Sequence, residues 1–177
     1  MTASGEAPQA LETPETKPDF LEVYDRWVCP IYRYFRSHVG EDPLAEDLTS
    51  QLFLKAYQAW PRFEPKRSLA AWLFRIAHNL AMDHYRAARR SRNYLEEAAQ
   101  NQAFTADPAP DADALLLLRT AMDGLNHQDQ ELLRLRYLNQ LSFAELGQVL
   151  GFSEQAAKKK TYRLLQALRQ RMGGKDD

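Results

Sequence analysis

The chain has 177 residues, and 45% of them are hydrophobic, which is enough for one or two domains with apolar cores. Its 23 Lys and Arg nearly balance its 24 Asp and Glu, but acidic and basic residues are sorted into separate segments. A single cysteine, Cys29, excludes an internal disulfide and a multi-cysteine zinc site, and the four histidines lack metal-binding spacing. We therefore expect no metal and no cofactor. No apolar run is long enough to cross a bilayer and no secretory signal is present, so we expect no membrane insertion and a cytoplasmic location.

Apolar residues recur at helical spacing, and no segment alternates with the two-residue period of a strand. The sequence therefore predicts an all-α protein of two small helical domains joined by a flexible acidic linker. Residues 1–18 contain three prolines among small and acidic residues, and we expect a disordered tail there.

The first predicted domain covers residues 19–92. An aromatic-rich helical stripe begins at Phe20 and ends at Gly40, and Pro30 is expected to kink that helix or to split it in two. A second helix is predicted to begin near Pro43 and to stop at Trp60 and Pro61. Its expected core face is formed by Leu44, Leu48, Leu52 with Phe53, and Ala56 or Tyr57. Leu54 is expected to be exposed among polar neighbours.

The segment from Ser68 to Arg92 predicts a long two-faced helix with Ser68 as its N-cap. Its expected buried face consists of Leu69, Leu73, Ile76, Leu80 and Ala87. A second stripe at helical spacing is polar and mostly cationic, and it consists of Arg75, Asn79, Asp83, Arg86 and Arg90. From Arg62 to Arg92 there are eight Arg or Lys against two acids.

Aromatic residues are interleaved with the cations of this window: Phe63, Trp72, Phe74 and Tyr85. Such a mixture suits a single-stranded nucleic acid, because cations hold phosphates and aromatic rings stack on unpaired bases. The alternative is a solvated charged face over a helix whose aromatics are packed inside. The stretch by itself leaves both interpretations open.

Periodicity is lost from Asn93 onward, and we assign residues 93–112 to the acidic linker. The second predicted domain covers residues 113–173. Asn126 is expected to cap one helix, and Ser142 with Glu145 has the spacing of a capping box. After Gly151, Ser153 caps a last helix with Ala156, Ala157, Leu164, Leu165 and Leu168 as its expected buried set. A short helix, a tight turn and a capped second helix predict a helix-turn-helix.

The start of the last helix carries polar and cationic side chains, as helices that read the major groove do. The expected DNA-binding residues are Ser153, Glu154, Gln155, Lys158, Lys159, Lys160, Tyr162 and Arg163. The pattern favours DNA binding over a plain helical hairpin. For any single lysine, solvation or a phosphate contact alone remains the alternative.

Three segments, AEDLTSQLFLKAYQAW, AAWLFRIAHNLAMDHYR and LSFAELGQVLGFSEQAAKKKTYRLLQALR, resemble the extracytoplasmic-function (ECF) group of RNA polymerase sigma factors of the sigma-70 family. The resemblance implies a bipartite promoter-recognition factor that binds the β′ and β subunits of core polymerase, promoter DNA and an anti-sigma factor. It implies a docking helix on β′ that contains Asp47, Leu48, Gln51, Phe53 and Leu54. It implies a minus-ten element surface made of Phe63, Lys66, Arg67, Trp72, Arg75, Asn79, Asp83, Arg86 and Arg90. It implies minus-thirty-five reading by the last helix.

The last helix departs from the family pattern, because Gln155, Ala156 and Ala157 followed by three lysines replace the usual Gly-Thr-Val-Lys-Ser-Arg type run. This departure affects the promoter sequence expected, not the class. A stand-alone helix-turn-helix regulator is the alternative, and it leaves the basic helix of the first domain unexplained. An enzyme is not expected, because no nucleophile with a base, metal set or phosphate loop is visible.

Overall fold

A computed structural model describes residues 17–92, 122 and 124–171. The chain divides into two compact units, Met1–Ala103 and Phe104–Asp177. All regular structure among the described residues is helical, so the predicted all-α class is confirmed. Residues 1–16 of the predicted tail and the whole of the predicted linker lie outside the described residues.

Helix α1, Phe20–Val39, is one continuous helix with Pro30 inside it, so of the two predicted alternatives, a kink or a split, the split is wrong. Buried Trp27 and Ile31 flank the proline, and their packing holds the helix together despite the missing backbone donor. Gly40 ends the helix as predicted. Its φ of 72° is left-handed, and its N–H donates to the Arg36 carbonyl over 3.1 Å.

Helix α2, Asp42–Ala59, has Pro43 in its first turn, as expected. Leu48, Leu52 and Ala56 are buried against the core of the first unit. The sequence left Ala56 and Tyr57 as alternatives for the last core position. The structure buries Ala56 and leaves Tyr57 62% exposed. A 3₁₀ turn, Trp60–Arg62, follows.

Helix α3, Leu69–Arg92, runs without interruption and is capped by Ser68, whose Oγ accepts from the Ala71 N–H over 3.2 Å. Its buried side chains are Ala71, Leu73, Phe74, Ala77, Leu80 and Ala81. Ala87 is exposed, so its predicted place in the core is wrong. No side chain from Met82 to Arg90 is buried, because this part of the helix extends beyond the core.

The second unit contains helix α4, His127–Leu133, which continues into a π-helical segment, Arg134–Leu138. Helices α5, Phe143–Leu150, and α6, Glu154–Arg171, follow. Leu132, Leu133, Leu164 and Leu168 form a core with Met122. The predicted Asn126 cap and the Ser142 and Glu145 capping box are both present.

The α5–turn–α6 arrangement matches the predicted helix-turn-helix, and Gly151 makes the turn with a left-handed φ of 77°. Ala157 is buried as expected, whereas Ala156 is exposed and its predicted burial is wrong.

Candidate nucleic-acid and protein-binding surfaces

The polar stripe predicted on α3 is exposed along its whole length. We call it the α3 stripe, and its members are Arg75, Asn79, Asp83, Arg86 and Arg90. At 1.5 Å per residue it extends about 22 Å along the helix. Arg86 contacts Asp83 over 3.3 Å, and both side chains are about 70% exposed, so water screens this ion pair. The stripe is a narrow cationic surface on the side of α3 opposite its core.

The loop before α3 adds Lys66 and Arg67, which are both exposed. The Arg67 Nε donates to Glu64 over 3.1 Å, again between exposed side chains. The loop therefore presents positive charge beside the first turn of α3. Its charge has the same sign as that of the α3 stripe.

The aromatic side chains of this region are mostly packed inside the protein, which agrees with the second of the two interpretations that the sequence left open. Phe63 is only 7% exposed and lies parallel to Trp60, with ring centroids 5.0 Å apart. Trp72 is half-buried, with its centroid 4.8 Å from that of Phe63. Phe74 is fully buried. In this structure Phe63 therefore has no open ring face for a base, and only part of Trp72 faces solvent.

The predicted docking residues on α2 divide into two groups. Asp47, Gln51 and Leu54 are exposed, and the Gln51 amide donates to Asp47 over 2.8 Å. Leu48 and Phe53 are 4% and 5% exposed, so they belong to the core and cannot touch a partner directly. They hold the helix that presents the other three. Leu54, 59% exposed, is the apolar centre of this face.

An open groove at the start of α1 was missed by sequence reasoning. It is lined by Asp19, Phe20, Leu21, Tyr24 and Tyr57. Tyr57 was considered for the core, but it lies about 100° around the helix from Ala56. That angular offset from the row Leu48, Leu52 and Ala56 was the available signal that it is exposed.

Seven of the eight residues predicted to read DNA on the last helix and its cap are exposed. The exception is Lys160, whose Nζ lies 2.9 Å from Asp129 Oδ1 with only 21% of its side chain exposed. Lys160 is therefore ion-paired within the protein, unlike the other seven residues of the predicted set. The Ser153 Oγ accepts from the Ala156 N–H over 3.1 Å, which makes it the N-cap of α6.

The turn before the helix-turn-helix is fixed by Arg136, which sequence reasoning also missed. Its guanidinium donates to the Leu141 carbonyl over 2.7 Å and lies 4.6 Å from the Phe143 ring centroid. Both contacts depend on a π-helical segment that no local pattern predicts. They hold the start of α5 against the preceding segment.

At the junction of α1 and α2, the Tyr32 hydroxyl donates to Asp42 over 2.8 Å, and Arg36 Nε donates to the same oxygen over 2.5 Å. The hydrogen bond from Tyr32, with a further contribution from Arg36, lowers the pKa of Asp42. The same hydrogen bond to Asp42 raises the pKa of Tyr32. These contacts fix the turn that sets α2 against α1.

Within the described ranges, no group of three or more His, Cys, Asp or Glu side chains could hold a metal ion. Among the same residues, no helix is both long enough and apolar enough to cross a bilayer.

Two family models match the two halves of the chain: Sigma-70 region 2 matches residues 23–91, and Sigma-70, region 4 matches residues 121–170. The RNA polymerase sigma factor CarQ of Myxococcus xanthus is 31% identical over 157 residues, which cover 87% of this chain and 89% of CarQ. The chain belongs to the sigma-70 family.

Similar proteins include ECF RNA polymerase sigma factors, which confirms the resemblance to that group. BldN of Streptomyces coelicolor is 36% identical over 155 residues, covering 84% of this sigma factor but 58% of BldN. SigW of Bacillus subtilis is 27% identical over 169 residues, covering 86% of this chain and 88% of SigW.

Two solved structures share the fold. The sigma factor RpoE of Bartonella quintana, in complex with the anti-sigma factor NepR, aligns with a TM-score of 0.72 at 22% identity. That alignment covers 89% of this chain and 99% of RpoE. CnrH, in complex with the cytosolic domain of CnrY, aligns with a TM-score of 0.62 at 22% identity, covering 89% of each chain.

Proposed function

We propose that this sigma factor directs core RNA polymerase to its promoters through two separate DNA contacts. In this proposal residues 19–92 bind polymerase and the minus-ten element, and residues 113–173 bind the minus-thirty-five element. Residues 93–112 link the two. The chain supplies binding surfaces and is not itself an enzyme, since polymerase performs the chemistry of RNA synthesis. It acts without a cofactor in the cytoplasm, where polymerase and promoter DNA are.

The observation that carries the proposal is the α3 stripe. It provides three arginines, one asparagine and one aspartate on one exposed face, about 22 Å long, with a net positive charge. That length can follow several nucleotides of a single strand. Arg86 and Arg90 suit phosphates, and Asn79 can bond base edges. Trp72 is half-buried, and part of its aromatic side chain is exposed on the same helix.

Capture of an opened strand is energetically feasible with a few such contacts. Unstacking a base costs a few kcal/mol. Stacking on a protein aromatic returns on the order of 1–3 kcal/mol per base, and in this structure only the exposed part of Trp72 is available for it. The exposed cations of the α3 stripe add a salt-dependent term for each phosphate they hold, so these contacts together shift the equilibrium toward the opened promoter.

The exposed start of α6 supports duplex recognition. Glu154, Gln155, Lys158 and Lys159 lie in its first two turns, where recognition helices contact base edges and phosphates. Tyr162 is 58% exposed and Arg163 is also exposed one turn later. This surface is cationic enough to approach the duplex and has one amide side chain for base recognition.

Asp47, Gln51 and Leu54 form the surface that we assign to polymerase docking. An exposed leucine next to a carboxylate and an amide suits a protein partner, because Leu54 can be buried while its neighbours make hydrogen bonds. With one domain held on polymerase, the linker raises the effective concentration of the other at its DNA site. An anti-sigma factor, like NepR in the RpoE structure, is proposed as the inhibitory partner.

The deciding experiment is transcription in vitro with core polymerase that lacks other sigma factors. A library of random promoter fragments is transcribed with and without this chain, and RNA start sites are mapped. The proposal expects new starts with shared sequences near minus ten and minus thirty-five. A stand-alone regulator would instead bind duplex DNA without starting RNA synthesis, and that result would refute the proposal.

A further inference from the structure

Lys160 uses its charge differently from the cations around it. Lys158, Lys159 and Arg163 are exposed on α6. The Lys160 Nζ instead lies 2.9 Å from Asp129 Oδ1 and 3.2 Å from Gln128 Oε1. It is also 5.1 Å from the centroid of the Phe152 ring, in the turn of the helix-turn-helix. The ammonium is thus surrounded by groups from α4 and the turn.

Asp129 is itself held in place by the cap of α4. Its Oδ2 accepts from the Asn126 amide over 2.8 Å, and its backbone N–H donates to the Asn126 side-chain oxygen over 2.9 Å. Only 15% of the Asp129 side chain is exposed. The ion pair therefore joins the first turn of α4 to the second turn of α6, two segments 31 residues apart in sequence.

The ion pair adds a directional restraint that the core does not supply. Leu132 and Leu133 pack with Leu164 and Leu168, and such apolar packing tolerates small rotations of a helix about its axis. A short contact between two largely shielded charged groups tolerates less, because the attraction is strong where water is excluded. The pair therefore restrains rotation of α6 about its axis more tightly than the core does alone.

We infer that Lys160 is a positioning residue for promoter reading, which acts through Asp129 and does not contact DNA itself. It holds α6 so that Gln155, Lys158 and Lys159 face the duplex. This inference rests on the proposed minus-thirty-five role of α6. It gives Lys160 and Asp129 one shared function, although one is a cation on the recognition helix and the other an acid outside it.

The test uses the full-length chain with core polymerase and a minus-thirty-five duplex selected by the wild-type holoenzyme from a randomised library. The variants are Lys160→Gln, Asp129→Asn, the double substitution and the conservative Lys160→Arg. Lys159→Gln is the matched control for an exposed lysine one position away. Affinity is measured on the selected duplex and on a scrambled duplex over a range of salt concentrations, below the unfolding temperature of every variant.

The inference expects Lys160→Gln and Asp129→Asn to lower discrimination between the two duplexes equally, on the order of tenfold, the size of one lost base contact. The double substitution should lose no more than either single one, because both remove the same ion pair. Lys160→Arg should retain most discrimination. None of these substitutions should change the slope of log affinity against log salt concentration. Lys159→Gln should lower the magnitude of that slope by about 0.9, because it removes one phosphate contact.

A phosphate-binding Lys160 would behave in the opposite way. Lys160→Gln would then lower the salt slope, and Asp129→Asn would release the ammonium and raise affinity for both duplexes. Either result overturns the inference, as does wild-type discrimination in folded Lys160→Gln and Asp129→Asn, which would make the pair structural only. Failure of the proposed function gives a different result, because the wild-type holoenzyme then selects no duplex from the library. In that case the inference falls with it.

Discussion

Phe63 lies parallel to Trp60, with their ring planes only 6° apart and their centroids 5.0 Å apart. Trp72 closes the cluster, with its centroid 4.8 Å from Phe63 and 5.9 Å from Trp60. The loop between α2 and α3 is thus anchored by its own aromatic residues. The cations beside it, Lys66 and Arg67, remain exposed. The stacked aromatic rings hold the loop in place, and the loop exposes its two cations to solvent.

Phe63→Ala is expected to destabilise the protein by about 3 kcal/mol, because it removes a buried ring and leaves a cavity. Phe63→Leu fills most of that space and should cost less than about 1.5 kcal/mol. Denaturant unfolding measures both changes. Phe63→Leu should still open promoters nearly as well as wild type. A large loss of opening in this folded variant would mean that the ring itself contacts the strand.

The difference between predicted and observed aromatics shows where sequence patterns lose information. Helix starts at Ser68, Asn126 and Ser142 were predictable, because a cap depends on residues three positions apart in the chain. The burial of Phe63 was not predictable, because it depends on the 3₁₀ turn Trp60–Arg62 and on Trp72, which meets Phe63 only after the loop folds back. Composition shows that aromatics and cations alternate, but not which of them pack.

The candidate sites follow the same rule. The α3 stripe was predicted completely, since its members repeat at helical spacing on one uninterrupted helix. The ion pair of Lys160 was not predictable, because its partner Asp129 is 31 residues away and lies two helices earlier in the chain. Leu48 and Phe53 were grouped with Leu54 through a family resemblance, which marks a segment but not the side of the helix that each residue occupies.

Leu54→Ala should weaken binding to core polymerase by on the order of tenfold, the effect of losing most of one buried leucine at an interface. Folding should be unaffected, because this side chain is 59% exposed in the free chain. Leu21→Ala is a matched control, since Leu21 is 63% exposed on α1 outside the proposed docking face. Fluorescence anisotropy of labelled protein titrated with core polymerase gives both affinities. Equal losses in the two variants would contradict the assignment.

Substituting Arg86 and Arg90 together by Gln should weaken holoenzyme binding to a single-stranded minus-ten oligonucleotide. Two lost phosphate contacts should lower the slope of log affinity against log salt by about 1.4, at about 0.7 for each phosphate on a single strand. Arg33→Gln removes an exposed cation from α1 and should leave that slope unchanged. An unchanged slope in the double variant would remove the α3 stripe from the strand contact.

Asp42→Asn should destabilise the first unit in a pH-dependent way. The folded pKa of Asp42 is below its usual 3.8. Its contribution to the free energy of unfolding is therefore complete at neutral pH and is lost as pH falls through the lowered value. The folded pKa of Tyr32 is above 10.0, so its contribution is present below pH 10 and is lost as pH rises through the raised value. Urea unfolding at several pH values should show that wild type has a larger free energy of unfolding than Asp42→Asn at pH 7. This difference should become smaller at strongly acidic and at strongly alkaline pH. A difference that does not change with pH would contradict the contacts with Tyr32 and Arg36.

Gly147→Ala should disrupt the helix-turn-helix, because a Cβ at this position would come within 2.6 Å of the Phe152 carbonyl oxygen. That oxygen belongs to the backbone of the turn, so α5 and the turn would have to separate, at a cost of about 1–3 kcal/mol. The same movement would lengthen the hydrogen bonds from the Gly151 and Phe152 N–H groups to the Gly147 carbonyl, now 2.9 and 3.0 Å.

Gly151→Asn is the matched control for this prediction. Gly151 has a left-handed φ of 77° and open space where a Cβ would lie, and Asn tolerates that backbone conformation better than other residues with side chains. Its cost should be smaller than that of Gly147→Ala, because only conformational preference is lost. The free energy of unfolding of the full chain and its affinity for the selected duplex are measured for both variants. If Gly147→Ala proves as mild as Gly151→Asn, the close approach of α5 to the turn does not fix the angle at which α6 meets DNA.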